Sequence, residues 1–238
     1  MANLTRRSFL SAAPAGLATL GTLAATSQSA EAQLVWQTSD WNIAAFRALT
    51  DEQARIKQLF DIMKIGEGGF LNNIKNSLNG LHFGFGIPGN QIKIIGALHG
   101  PANLLNFDDY VWSKYQVGQW LNIGDPMTGN PAVKNIFYGS KNALSGRAFS
   151  KDPNDPGSVF QVTSVEELQS RGVQFLACHT ATEEQARVLV RHNNLSQSPE
   201  SVVKDMLAHT LPGVLVVASM VAAIALLQAQ GRYTYITV

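Results

Sequence analysis

The sequence predicts an α/β protein in which helices cover both faces of a parallel or mostly parallel sheet. The first observation is an alternation of helical and strand patterns over residues 164–238, with short connections between them. This alternation is typical of parallel sheets, because a crossover between two parallel strands usually contains a helix. The second observation is that the predicted strands are short apolar runs, as expected for strands that are buried on both faces.

In the first half of the chain, local patterns predict helices and one strand. The capping box Thr50-Asp51-Glu52-Gln53 predicts a helix that continues to about Met63. After a glycine-rich break at 66–69, apolar residues recur at helical spacing: Phe70, Ile74, Leu78, Leu81 and Phe85. The apolar run 91–98 lies between turn residues and predicts a strand, and residues 107–121 predict another helix.

In the second half, capping signals and apolar runs alternate. Helices are predicted to follow four start signals, at Ser164, Thr182, Ser198-Pro199 and Met220. Strands are predicted over 173–177, 214–218 and 233–238. The apolar segment 214–227 is short and interrupted by Ser219, so it is interpreted as a buried strand and helix rather than a membrane span.

Two segments lie outside this regular pattern. Residues 33–55 are interpreted as an N-terminal extension, since the part up to residue 49 shows no clear period. Residues 124–157 are rich in Gly, Pro and Asn, which predicts a long surface loop within a single domain.

The N-terminus predicts export. The pair Arg6-Arg7 precedes a mildly apolar stretch, and Ala30-Glu31-Ala32 supplies the small residues of a cleavage site before Gln33. These features are typical of a twin-arginine (Tat) signal peptide over residues 1–32, with the Tat translocase as partner and the periplasm as destination. A basic, disordered N-terminus and a retained membrane anchor are the alternatives; the Ala-x-Ala site argues against the anchor.

Composition narrows the function classes. Charged residues are 15% of the chain, the formal net charge is +1 and no basic run is present, so nucleic-acid binding is not expected. The five histidines show no metal-ligand spacing, and no haem-attachment or phosphate-loop motif occurs. We therefore predict neither a metal nor a cofactor.

The one cysteine of the chain, Cys178, is the leading functional candidate. In GVQFLACHTATEEQA it stands where a predicted strand ends and a helix begins. In open α/β sheets, ligands collect beyond the carboxyl ends of strands, and a helix N-terminus promotes thiolate formation. An unpaired thiol in an oxidising compartment is otherwise a buried apolar residue or forms a disulfide between chains.

Three further residues are candidates. His99 also follows a predicted strand and could stabilise a thiolate or persulfide at the same edge; the alternative is a structural histidine in a turn. His179 follows Cys178 directly, but neighbouring strand residues point to opposite faces, so a direct Cys–His pair is not expected. It is kept with Lys114 as a substrate-binding candidate, since Lys114 could attract an anionic sulfur compound. Trp112, Tyr115 and Trp120 lie at helical spacing nearby, a pattern more typical of packing or a subunit interface.

Several stretches resemble the DsrE/DsrF-like sulfur-relay family. GVQFLACHTAT followed by LPGVLVVASMVAAIALLQAQGRYTYI is similar to the C-terminal half of that family. NNIKNSLNGL and IKIIGALHGPANLL are similar to its first helix and second strand. The stretch DDYVWSKYQVGQWL resembles a segment of the exported branch that carries Tat signals.

The resemblance implies a three-layer α/β/α domain with a mostly parallel five-stranded sheet over residues 56–238. It also implies a first strand at 57–62, where the local pattern predicts a helix. Family members often assemble into trimers or hexamers, and one cysteine carries sulfur as a persulfide. The matching position is Cys178, so the resemblance implies a sulfur carrier or sulfurtransferase that exchanges sulfane sulfur with a donor or acceptor protein.

A different class of function also fits the sequence. Cys178 would then be a buried structural residue in an oligomeric protein that binds a small molecule or has a structural role. The aromatic helix and the 124–157 loop would make subunit contacts or form a small-molecule pocket.

Overall fold

The protein is described by a computed structural model over residues 38–139 and 163–238. These residues belong to one compact unit, Trp36–Val238. The predicted signal peptide at 1–32 and the part of the predicted loop from residue 140 onward lie outside the described residues.

A five-stranded sheet forms the middle of the fold, and all of its pairings are parallel. The strands, in spatial order β4-β3-β2-β1-β5, are β1 (Ile56–Ile62), β2 (Ile92–Leu98), β3 (Gln174–Cys178), β4 (Leu215–Val217) and β5 (Thr234–Thr237). The predicted three-layer α/β/α architecture with five strands is confirmed.

Helices lie on both faces of the sheet. The α-helices of the described residues are α1 (Ile43–Thr50), α2 (Gly69–Asn79), α3 (Asp109–Lys114), α4 (Val117–Leu121), α5 (Val165–Ser170), α6 (His179–His192), α7 (Pro199–Ala208) and α8 (Met220–Ala229). A π-helical turn (Gly80–Gly84) extends α2, and a 3-10 helix (Gly100–Asn106) follows β2.

Alternate strand residues pack into two separate cores. Phe60, Leu98 and Phe175 pack against helices α2 to α7, which we call the large layer. Their neighbours along the strands, such as Leu59 and Cys178, pack instead against α1 and α8, which we call the small layer. Because successive strand residues point to opposite faces, this alternation fixes which face each side chain at the sheet edge can reach.

The structure corrects the local prediction around the first strand. Residues 56–62 form β1 rather than a helix, in agreement with the strand that the family resemblance implied at 57–62. β1 pairs with β2 on one side and β5 on the other, so it is buried in the sheet. Tertiary pairing here outweighs the weak local preference that the capping box at Thr50 suggested.

Two helix predictions also need correction. The apolar face that begins at Phe70 is buried as far as Leu78, but Phe85 is 80% exposed. The reason is that the α-helical period changes at the π-helical turn. The helix predicted over 107–121 is divided into α3 and α4, because Gln116 adopts a left-handed conformation with φ of 50°.

Other predictions agree with the structure. Ser164 and Ser198 act as N-caps, each accepting a hydrogen bond from a backbone N–H of the helix that follows. The apolar segment predicted as a strand and a helix forms β4 and α8. Within the described ranges, the structure contains no helix with both the length and the apolar character needed to cross a membrane.

The contact of α4 with Ala132 leaves no room for a side chain at Gly118. A Cβ atom at Gly118 would overlap the backbone of Ala132, which cannot move as a flexible side chain can. We expect Gly118→Ala to lower the free energy of unfolding by about 1–3 kcal/mol, as for other overpacked sites. Gly80→Ala is the control, because Gly80 has helical φ and ψ angles and open space around it. Urea denaturation should show the loss at Gly118 only; an equal loss at both positions would contradict the close contact.

Candidate functional site

The carboxyl ends of the parallel strands bring several polar side chains to one edge of the sheet. β1 carries Asp61 next to its last residue, His99 follows β2, and Cys178 ends β3. Each lies two residues after a strand residue that packs in the small-layer core, and therefore on the same face of the sheet. These core residues are Leu59, Ala97 and Leu176, respectively. The sheet therefore places them in neighbouring positions on one face.

Cys178 lies where two helices begin. It is the N-cap of α6, and its Sγ accepts a hydrogen bond from the backbone N–H of Ala181 at 3.5 Å. The N–H of Met220, the first residue of α8, contacts the same sulfur at 3.3 Å. Two helix N-termini therefore direct N–H groups toward one sulfur atom, an arrangement that stabilises negative charge on it.

The position of Cys178 coincides with a reversal of the chain connections. β3 leads into α6 of the large layer, whereas its neighbour β4 leads into α8 of the small layer. In open α/β sheets, the binding crevice forms where adjacent strands connect to opposite faces. Cys178 stands at this point, at the carboxyl end of β3, which is where the sequence predicted it.

The start of α6 differs from the prediction. The helix begins at His179, directly after Cys178, rather than at Thr182. The hydroxyl group of Thr182 donates a hydrogen bond to the carbonyl oxygen of Cys178 at 3.0 Å, so it lies inside the first turn. The sulfur replaces the hydroxyl or carboxylate oxygen that usually caps a helix.

A buried amide holds this junction in place. Oδ1 of Asn103, in the 3-10 helix after β2, accepts a hydrogen bond from the backbone N–H of Cys178 at 2.8 Å. Its Nδ2 donates to Thr182 Oγ1 at 2.9 Å and to Gln185 Oε1 at 3.0 Å. Asn103 is fully buried, so each of these bonds replaces one that water would otherwise provide.

His99 is held by a carboxylate. Its Nε2 lies 2.5 Å from Oδ1 of the buried Asp61, and the hydroxyl of Tyr235 on β5 donates to Oδ2 of the same carboxylate. In the neutral imidazole this arrangement puts the proton on Nε2 and leaves Nδ1 as the acceptor. The hydrogen bond to Asp61 raises the pKa of Tyr235, because it stabilises the protonated hydroxyl.

The strand register brings His99 beside Cys178. Leu98 pairs with Ala177, so the next residue of each strand is His99 and Cys178. Both side chains lie on the small-layer face, although no hydrogen bond joins them in this structure. His99 and Cys178, which the sequence predicted at one edge of the sheet, therefore lie at the same edge. Cys178 is buried there, with 5% of its surface exposed.

His179 makes contacts with Glu183 and Trp41. Its Nδ1 lies 3.0 Å from Oε1 of Glu183, and its ring packs edge-on against Trp41 with centroids 5.1 Å apart. Burial lowers the pKa of His179, and the charge of Glu183 partly opposes that shift. These contacts secure the start of the N-terminal segment over the first turn of α6.

Lys114 lies in another part of the molecule. α3 packs in the large layer, on the opposite face of the sheet from Cys178. The ammonium group of Lys114 donates to Tyr110 Oη at 2.7 Å and contacts Asp205 Oδ2 at 2.9 Å. The hydrogen bond from Lys114 to Tyr110 and that to Asp205 raise its pKa. The structure thus does not bring Lys114 together with Cys178.

Asp61 and Tyr235 are site residues that the sequence alone does not indicate. The only local signal for Asp61 is a carboxylate one residue before the end of an apolar strand. Tyr235 gives no local signal, since its role depends on the pairing of β5 with β1. In the described ranges, no group of three or more His, Cys, Asp or Glu side chains is placed to hold a metal ion.

Fold and site together define a parallel α/β protein with a capped thiol and an imidazole–carboxylate pair at the carboxyl edge of the sheet. Comparisons of the chain with protein-family models, curated proteins and solved structures gave no significant match.

Removal of the Asn103 amide should loosen the junction at Cys178. Asn103→Ala leaves the buried N–H of Cys178 and the polar groups of Thr182 and Gln185 without their partner. We expect the free energy of unfolding to fall by about 2–4 kcal/mol. Asn73→Ala, at an exposed position of α2, is the matched control and should have no such effect. Equal values for the two variants in urea denaturation would rule out this role for Asn103.

Proposed function

We propose that the protein carries sulfane sulfur as a persulfide on Cys178. The observation that carries the proposal is the convergence of two backbone N–H groups, from Ala181 and Met220, on the sulfur atom. A thiolate is anionic, so donors fixed at this position favour the form of the sulfur that attacks the donor. The family resemblance of the surrounding sequence points to the same chemistry.

His99 supplies the proton transfer in this proposal. The neutral imidazole takes the proton of the Cys178 thiol at Nδ1, while Asp61 stabilises the imidazolium that forms. The thiolate then attacks the outer sulfur of a donor persulfide R–S–SH. A bond forms between the outer sulfur and Sγ as the donor S–S bond breaks. The leaving RS⁻ takes the proton back from His99, which gives RSH and the Cys178 persulfide.

Loading requires local opening of the small layer. Cys178 packs in one core with Phe46 and Leu49 of α1, and its 5% exposure leaves little of the sulfur accessible. At this edge the N-terminal segment packs against the first turn of α6 through Trp41 and His179, so in this proposal a donor reaches Sγ when that contact opens. Such opening is less costly than global unfolding, since α1 is a short helix at the edge of the core.

Export, partners and assembly form part of the same proposal. The N-terminal sequence supports Tat export to the periplasm, where sulfur would pass to or from a donor or acceptor protein. Val221 and Leu226 are exposed on α8, and Tyr235 and Ile236 are exposed on β5. These apolar side chains support assembly into a homo-oligomer, with a trimer or hexamer implied by the resemblance.

A second candidate function has its own supporting observation. The Cys178 sulfur is buried and acts as the N-cap of α6, so it has a structural role whether or not it reacts. The protein would then be a non-catalytic oligomer that binds a small molecule or has a structural role. Alkylation distinguishes the two functions, because a structural thiol stays protected in the folded protein whereas a carrier thiol reacts.

Intact-mass analysis after exposure to polysulfide is the direct test. We expect the mature protein to gain one sulfur atom, to lose it on reduction, and to gain none as Cys178→Ser. Serine is a good N-cap, so this variant should keep the fold. If the mass of the wild-type protein is unchanged and its thiol is also protected from alkylation, the carrier proposal is wrong and the structural function is supported.

The role of Asp61 can be tested with a double-mutant cycle. Asp61→Asn removes the charge that holds His99, and we expect it to slow sulfur loading about 10- to 100-fold. His99→Gln should have a similar effect, and the double variant should be no slower than either single one, because the two residues act as a unit. Tyr235→Phe is the control: it removes only the hydroxyl that donates to Asp61, so it should slow sulfur loading less than Asp61→Asn does. Independent, additive effects of Asp61→Asn and His99→Gln on the loading rate would contradict the coupling.

A further inference from the structure

A cavity lies at the opposite end of the sheet from Cys178. Its volume is about 570 Å³, within the range typical of small-molecule sites. The wall is built from the segments that precede or begin three strands: Ala54 before β1, Ile92 and Lys93 at the start of β2, and Arg171 before β3. It shares no residue with the Cys178 site.

Positive charge predominates around this cavity. Arg171 and Lys93 form part of the wall, and Glu52 is the carboxylate among the lining residues, 3.8 Å from Lys93 Nζ. Lys75 of α2 lies close enough to Arg171 that the two like charges interact. Burial, and then the charge of Arg171, lower the pKa of Lys75. The carboxylate of Glu167 on α5 acts to raise the pKa of Arg171.

Arg171 has fewer acceptors than its guanidinium group needs. Nη2 donates to Oδ1 of Asn79 at 2.5 Å. Nε and Nη1 are enclosed and have no acceptor among the described residues, and the same is true of Nδ2 of Asn79. Burial lowers the pKa of Arg171. Enclosed donors without partners are costly, and those of a charged group most of all, so the two of Arg171 indicate a charge that the surrounding protein compensates only in part.

We propose that this cavity binds a small organic oxyanion with a short apolar part. An oxyanion in the cavity places its charge beside Arg171 and Lys93, both of which form part of the wall, and so compensates the charge of Arg171. Leu78, Pro88 and Ile92 form an apolar part of the wall, which suits a short aliphatic chain. A carboxylate and a phosphate share this chemistry, and the titrations below distinguish them.

Nuclear magnetic resonance of the Arg171 Nε–Hε group tests the proposal on the full mature chain. Acetate, hexanoate and inorganic phosphate are titrated to about 10 mM, ten times a 1 mM Kd, with sodium chloride at matched ionic strength as the reference. We expect a saturable shift of the Arg171 signal. If a carboxylate binds, hexanoate should bind more tightly than acetate by about fourfold for each methylene that is buried. Binding should also raise the pKa of Lys75, because the anion offsets the charge of Arg171.

Charge-removing variants show whether binding is local. Arg171→Gln and Lys93→Gln should each weaken binding by about tenfold or more, whereas Lys204→Gln, at an exposed position of α7, should not. Lys93→Gln keeps the test decisive if Arg171→Gln fails to fold. The absence of a saturable shift with all three anions would overturn the proposal, as would equal weakening by Lys204→Gln. Sulfur loading on Cys178 is measured separately, so either proposal can fail alone.

Discussion

The geometry of the carboxyl edge depends on the buried side-chain amide of Asn103. It bonds at once to the backbone of Cys178 and to two side chains of α6, while it belongs to the 3-10 helix that follows His99. Gln185 of α6 in turn donates to the carbonyl oxygen of Gly100 at 2.6 Å. The chain after β2 and the chain after β3 are therefore fixed to each other, and His99 and Cys178 keep their relative positions because of it.

The two ends of the sheet differ in electrostatic character for a common reason. In a parallel α/β fold, the helices that follow the strands begin at the carboxyl edge, so their N–H groups collect there. This places partial positive charge around Cys178. At the other edge helices end, and Arg171 lies at the C-terminus of α5, where a cation is favoured. At that edge the positive charge comes from side chains, whereas around Cys178 it comes from backbone N–H groups.

The sequence carries enough information for the layers and for the place of Cys178, since both depend on local alternation and on the end of an apolar run. It is insufficient where partners are distant along the chain. β1 has the local pattern of a helix and becomes a strand through β2 and β5. The partner of Lys114, Asp205, is 91 residues away. For the same reason Asp61 and Tyr235 escape detection, because neither carries a motif and each is defined by strand pairing.

The contact between Tyr235 and Asp61 joins residues that are 174 positions apart. β5 also adds to the sheet beside β1, so this pairing closes a loop that includes nearly the whole fold. Contacts of such long range slow the folding reaction, since the entropy of loop closure must be overcome before they form. The environment of the carboxylate that orients His99 is therefore complete only when the C-terminal strand has joined the sheet beside β1.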